Sequence, residues 1–121
     1  MADTQMADDD LAKANALCEM LKTHNGGDVT LIDLRGLTMW TDFFIVATIT
    51  SGAHLGALSR YIKEFAAEKK ISVLRKQRRG ETGGEWNVTD LGGMVIHLMS
   101  EGARKFYELE LLWDQGVVHK I

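Results

Sequence analysis

Seventeen carboxylates, four histidines and one cysteine are the side chains here that could carry catalysis or hold a metal, and their spacing decides what they can do. A two-metal or general acid–base site needs paired acids converging on one cleft, commonly alternate residues of a strand. The acids on segments that read as strands, Asp28, Asp33, Asp42 and Asp90, stand singly. Glu108 and Glu110 alternate, but on a segment with helical spacing, where residues two apart point to different faces. His24, His54, His97 and His119 lack the i, i+4 partner or neighbouring cysteine that makes zinc binding persuasive, so no metal is expected. His97 interrupts the apolar run "MVIHLM" and reads as a core histidine, with a hydrogen-bonding anchor as the other reading. Cys18 lies in an apolar helical pattern with no basic neighbour to lower its pKa, which suits packing better than nucleophilic attack. Ser51 and Gly52 join a strand to a helix N-terminus, yet the lysine and glycine spacing of a phosphate loop are absent, so a serine cap is expected. No cofactor is implied. A nucleotide-binding or nucleotidyl-transferring enzyme built on this turn is the rival reading.

Two other constellations could bind a macromolecule. Lys69, Lys70, Arg75, Lys76, Arg78 and Arg79 form the one basic cluster. It is either a charged strand edge that blocks unwanted pairing or a local contact with RNA phosphates, through Arg75, Lys76, Arg78 and Arg79. The second is the bend in "EWNVTDLGGMVIHLM". Trp86, Val88 and Asp90 alternate with Asn87, Thr89 and Leu91, so the two sets face opposite ways. One reading keeps Trp86 in the core and leaves Leu91 singly exposed. The other makes Trp86 and Leu91 an apolar anchor rimmed by Asp90 and Glu85, with tryptophan in its frequent role at binding hot spots.

The elements that must position these residues follow from periodicity. Leu11, Ala14, Cys18 and Leu21 recur at helical spacing behind the acids Asp8 to Asp10, and Gly26 or Gly27 suits the helix C-cap. "VTLIDL" and "DFFIVATIT" read as strands, the second so apolar that it belongs at the sheet centre. Leu55, Leu58, Ile62 and Phe65 stripe a second helix, Ile71 to Lys76 reads as a short strand, and two strands flank the bend at Leu91, Gly92 and Gly93. Ser100 should cap a last helix bearing Phe106, Leu109 and Trp113. The tight bend forces its own strands antiparallel. The expected fold is α/β, a mixed five-stranded sheet flanked by helices, in a single domain spanning residues 1–121, with a frayed start at 1–8 and a tail at 114–121. A net charge of −3 argues against a general nucleic-acid coater and leaves a basic protein as a suitable partner. The lone cysteine, the acidic start and the lack of a long apolar run suggest a cytoplasmic protein with no membrane contact.

"TDFFIVATITSGAHLGALSRYI" followed by "GGEWNVTDLGGMVIHLMSEGARKFYELELLW" resembles the ribosomal silencing factor, or Iojap-like, family across about Val29 to Trp113. The most specific block holds Arg104, Tyr107, Leu109, Glu110, Leu112 and Trp113 in register. The resemblance implies a fold similar to a nucleotidyltransferase core, here without paired catalytic acids, and a protein that is not an enzyme. It implies a factor that docks on a protein at the intersubunit face of the large ribosomal subunit. There it blocks joining of the small subunit and represses translation when nutrients are short. Relatives in organelles assist large-subunit assembly, so an assembly factor touching ribosomal RNA is a further alternative, and a second copy of the chain is a further partner. The family's docking residues carry over to Trp86, Asp90, Leu91 and Gly92. The family's second acid in that turn is Gly93 here, and its polar pair before His54 is Gly52 and Ala53.

Overall fold

The computed structural model describes residues 2–37, 41–79, 86–107 and 116–121. Helix α1 (Ala2–Thr23) leads into strands β1 (Gly27–Asp33) and β2 (Phe43–Ile49), and helix α2 (Gly52–Glu68) follows. Then come β3 (Arg75–Arg79), β4 (Trp86–Asp90), β5 (Met94–Ser100), helix α3 (Glu101–Tyr107) and β6 (Val117–Lys120). One mixed sheet runs in the order β3-β4-β5-β2-β1-β6. The five expected strands are all present, and a sixth comes from the segment read as a tail.

β2 lies inside the sheet as its apolarity requires, parallel to β5 and antiparallel to β1. Its alternate side chains feed two cores. Phe43, Ile45, Ala47 and Ile49 pack with α1 and α2, through Leu17, Leu21, Leu58 and Ile62 among others. Phe44 meets Ile32, Leu34 and Val95 on the opposite face, where Val46 also packs with Trp86, Met99 and Ala103 of α3. The sheet is therefore buried on both sides, which accounts for its near-continuous apolar strands.

Local chemistry sets the boundaries. α1 starts at Ala2, ahead of the start read from Asp8 to Asp10. It ends in a Schellman turn: Gly26 N–H donates to Leu21 O (2.7 Å) and Asn25 N–H to Lys22 O (3.1 Å). Asn25, at φ 69°, takes the left-handed position expected of a glycine, while Gly26 is required because a Cβ there would stand 2.8 Å from Leu21 O. Ser51 and Ser100 cap α2 and α3 as expected, accepting from His54 N–H (3.0 Å) and Ala103 N–H (3.1 Å). α3 includes Phe106, whereas Leu109 and Trp113 lie outside the described residues. The third strand sits later than expected. Ile71 turns back to pack against the core, residues 71–74 form no strand, and the basic run itself becomes β3. β6 returns beside β1 because Gly116 lets the backbone pass close. A Cβ there would lie 2.8 Å from Ile32 Cγ2 and 3.0 Å from Asp33 O.

Candidate functional site

The bend between β4 and β5 closes through Leu91 N–H donating to Met94 O (2.9 Å), and Asp90 Oδ1 accepts from Gly92 N–H (2.8 Å). Gly92 sits at φ 87°, a conformation glycine reaches without strain. Gly93 O accepts from both Asp42 N–H and Phe43 N–H at 3.1 Å, which ties the bend to the start of β2. A side chain at Gly93 would begin 3.8 Å from Asp42 Oδ2, so Asp42 supplies a carboxylate beside the bend.

The expected apolar anchor does not form as drawn from the sequence. Trp86 is 8% exposed and Leu91 5%, and they pack in different cores on opposite faces of the sheet. The cause is strand alternation: an odd separation of five residues sends two side chains to opposite faces. Trp86 Nε1–H donates to His97 Nδ1 (3.0 Å), so the core histidine and the tryptophan fix one another across β4 and β5. Leu91 plugs the helix-covered core beside Met94 and Ile96. Asp90 and Gly92 are half-buried at the bend, and Glu85 lies outside the described residues.

The apolar surface at this end of the sheet comes from residues that sequence reasoning passed over. Leu74 is 65% exposed, its N–H donates to Asp90 O (2.8 Å), and its Cδ1 lies 3.5 Å from where a Gly92 Cβ would stand. Val73 beside it is also exposed. Across the same sheet end, exposed Leu37 and Val117 line an open cleft with Asp33 and Arg35. Arg35 forks onto Asp33, with Nε 3.0 Å from Oδ1 and Nη2 2.7 Å from Oδ2, and lies 5.1 Å from the Phe43 ring centre. Hydrogen bonding from Arg35 holds the Asp33 carboxyl below the usual carboxylate range. Topology alone gathers these residues: the ends of β1 and β4 and the starts of β2, β3, β5 and β6 share one edge. The signal that could have found Leu74 was its place at the junction of an apolar segment with a basic one. Such a surface, with Leu74 beside Asp90 and with Leu37 and Val117 beside Asp33, suits a partner that is both apolar and basic.

The remaining candidates resolve as structure. His54 Nδ1 accepts from Thr50 N–H (3.1 Å), which leaves Nε2–H to donate to His24 O (3.1 Å) and tie the α2 start to the α1 exit. His24 stacks on Tyr61 at 3.8 Å. The Ser51 hydroxyl is engaged as the α2 cap. Burial pushes the Cys18 thiol up to about 12, far from a reactive thiolate. Arg104 is buried and donates to Thr30 Oγ1 (2.9 Å) and Thr48 Oγ1 (3.0 Å), joining α3 to β1 and β2. Among the described residues, no group of three or more histidine, cysteine or acidic side chains is arranged to hold a metal, and no helix is long and apolar enough to cross a membrane. Arg75, Lys76, Arg78 and Arg79 lie together in β3, which ends the sheet.

Comparison with known proteins bears on this arrangement. A family model described as "Ribosomal silencing factor during starvation" matches residues 7–120. The chain is 34% identical over 105 residues to the ribosomal silencing factor RsfS of Treponema pallidum, covering 87% of this chain and 93% of that protein. It is 35% identical over 98 residues to the mouse protein named mitochondrial assembly of ribosomal large subunit protein 1, covering 80% of this chain but 43% of the mouse protein. A crystal structure of a Chromobacterium violaceum protein superposes with a TM-score of 0.77 at 28% identity, covering 86% of this chain and 85% of that one.

Proposed function

Since this chain belongs to the ribosomal silencing factor family, we propose that it binds the large ribosomal subunit and keeps the small subunit from joining it, repressing translation when nutrients are short. The observation that carries this reading is the family match across nearly the whole domain. The structure supports a docking role at one end of the sheet, where exposed Leu74 and Val73 lie beside Asp90 toward the β3 border and exposed Leu37 and Val117 lie with Asp33 toward the β6 border. The partner is a basic protein on the intersubunit face. Apolar contact supplies affinity, and the carboxylates steer a cationic surface into place. Asp90 and Gly92 form the rim of the contact. Leu91 holds the bend from the helix-covered core, and Trp86 fastens β4 to β5 farther along the strands. The chain acts in the cytoplasm by occupying space and does no catalysis. The name of the mouse relative gives assembly of the large subunit as the second reading.

The test is Leu74→Asp combined with Asp90→Lys, neither of which empties a core. The double variant is expected to keep its circular dichroism and to lose co-sedimentation with large subunits, while wild type pellets with large and not small subunits. A folded double variant that still pellets would overturn the assigned surface. Wild type that ignores large subunits would overturn the function. Adding wild type to separated subunits should lower the yield of joined ribosomes, whereas a pure assembly factor would leave it unchanged.

A further inference from the structure

We infer that β3 and the turn leading into it form a contact site for the phosphate backbone of RNA, next to the protein-docking end of the sheet. Residues 69–79 hold six of the chain's 14 lysines and arginines in 11 consecutive positions and contain no acid, although the chain as a whole carries a net charge of −3. The fold concentrates that charge at one border. Four of the six lie in β3, the terminal strand, which among the described residues pairs along one side, with β4. Lys69 ends α2 and Lys70 reverses the chain at φ 58°, both exposed.

Guarding a sheet edge against unwanted pairing accounts for a lysine there, but it does not call for three arginines beside it within five positions. Five strand positions that include three arginines and a lysine, with no acid among them and only Asp90 opposite them in β4, fit a polyanion. Arginine in particular matches the forked geometry of phosphate oxygens. The strand from Arg75 to Arg79 extends about 13 Å, longer than the span between two successive backbone phosphates.

The neighbouring surface has the opposite character. Arg75 stands in register with Asp90, and Leu74 joins the two regions. A basic ribosomal protein embedded in RNA offers the complementary arrangement, cationic protein beside anionic backbone. An acidic domain docking there would meet phosphate repulsion unless its own cations faced the RNA. The identity of that RNA as ribosomal rests on the function proposed above. The affinity of β3 for an RNA backbone does not.

The experiment measures binding of the full-length chain to a fluorescent RNA hairpin by anisotropy, between about 50 and 200 mM salt. Wild type is expected to bind with a steep salt dependence. Replacing Arg75, Lys76, Arg78 and Arg79 together by Gln should weaken binding at least tenfold at the low-salt end. Each lost phosphate contact lowers the log–log slope by about 0.8, so the slope should fall by about 2 to 3. The charge-preserving Arg75→Lys, Arg78→Lys, Arg79→Lys variant should keep most of the binding. If the fourfold variant fails to fold, Arg78→Gln with Arg79→Gln is the substitute, with a smaller fall in slope. No binding to RNA, an unchanged slope in a folded Gln variant, or binding to phosphatidylglycerol vesicles in place of RNA would each overturn the inference. Sedimentation with large subunits separates the two readings. Wild type that pellets together with an equally salt-resistant Gln variant removes only the RNA contact, and wild type that never pellets removes the silencing function while the anisotropy still reports on β3.

Discussion

Trp86 and His97 show how one hydrogen bond can set the shape of a distant surface. The indole N–H and the imidazole Nδ1, 3.0 Å apart and buried, pin β4 to β5 along the strands that lead to the bend carrying Asp90 and Gly92. Trp86→Phe keeps an aromatic ring but removes the donor, and is expected to cost about 1–2 kcal/mol in denaturant unfolding with little change in circular dichroism. An unchanged midpoint would show that the bond contributes nothing. Asp33 permits a test with a defined sign. Its carboxyl is held low by Arg35, so the ion pair contributes fully above the ordinary aspartate range, near 4, and its contribution disappears as pH falls through the lower folded-state value. Asp33→Asn should therefore cost at most about 1 kcal/mol at neutral pH, the pair being partly solvated, and nothing once the medium is acidic enough to protonate the native carboxyl. A pH-independent difference between the two proteins would contradict this. At this scale the buried roles of Cys18 and His97 were legible from their apolar neighbours. The pairing of Trp86 with Leu91 was misread in its favoured form, although alternation along the strand already forbade it.

Each strand and helix that carries a strong period was readable: β1, β2, α2 and the two strands about the bend lie where hydrophobic spacing puts them. The strands at the sheet borders were not. β3 is mostly basic and β6 mostly exposed, so neither shows the apolar run of a buried strand. Their pairing is decided by backbone partners brought from elsewhere in the chain, information that local spacing does not contain. β6 depends on close backbone passage at Gly116. Gly116→Ala places a methyl group against Ile32 and the Asp33 carbonyl, and is expected to destabilise by about 1–3 kcal/mol. Hydrogen exchange gives the discriminating reading: amides of β6 and of the β1 edge facing it should lose protection, while those shared by β2 and β5 keep theirs. Uniform loss of protection would mean that β6 is not a separable unit.

For the molecule as a whole, charge and greasiness are sorted by position. The sheet end gathers exposed leucine and valine with carboxylates, and the adjoining border strand gathers arginine and lysine. Net charge alone, at −3, conceals this division. The family was legible from residue pattern, whereas the exposed leucines and valines at the sheet end were not, because solvent exposure at a chain crossing depends on which segments cross. One topological fact has a further consequence for biogenesis. β2 takes β5 as a neighbour over seven residue pairs, yet α2, β3 and β4 are synthesised between them. Until the ribosome has delivered residue 100, one flank of Phe43–Ile49 is an unsatisfied template of backbone donors and acceptors clothed in aromatic and branched side chains. A fragment ending at Arg79 should accordingly scatter light and sediment as aggregate where the intact chain stays monodisperse, and a well-folded fragment would contradict the assigned strand order. A member of the ribosomal silencing factor family thus relies on the ribosome, and on whatever shields nascent chains, to carry it past the point at which its own centre can close.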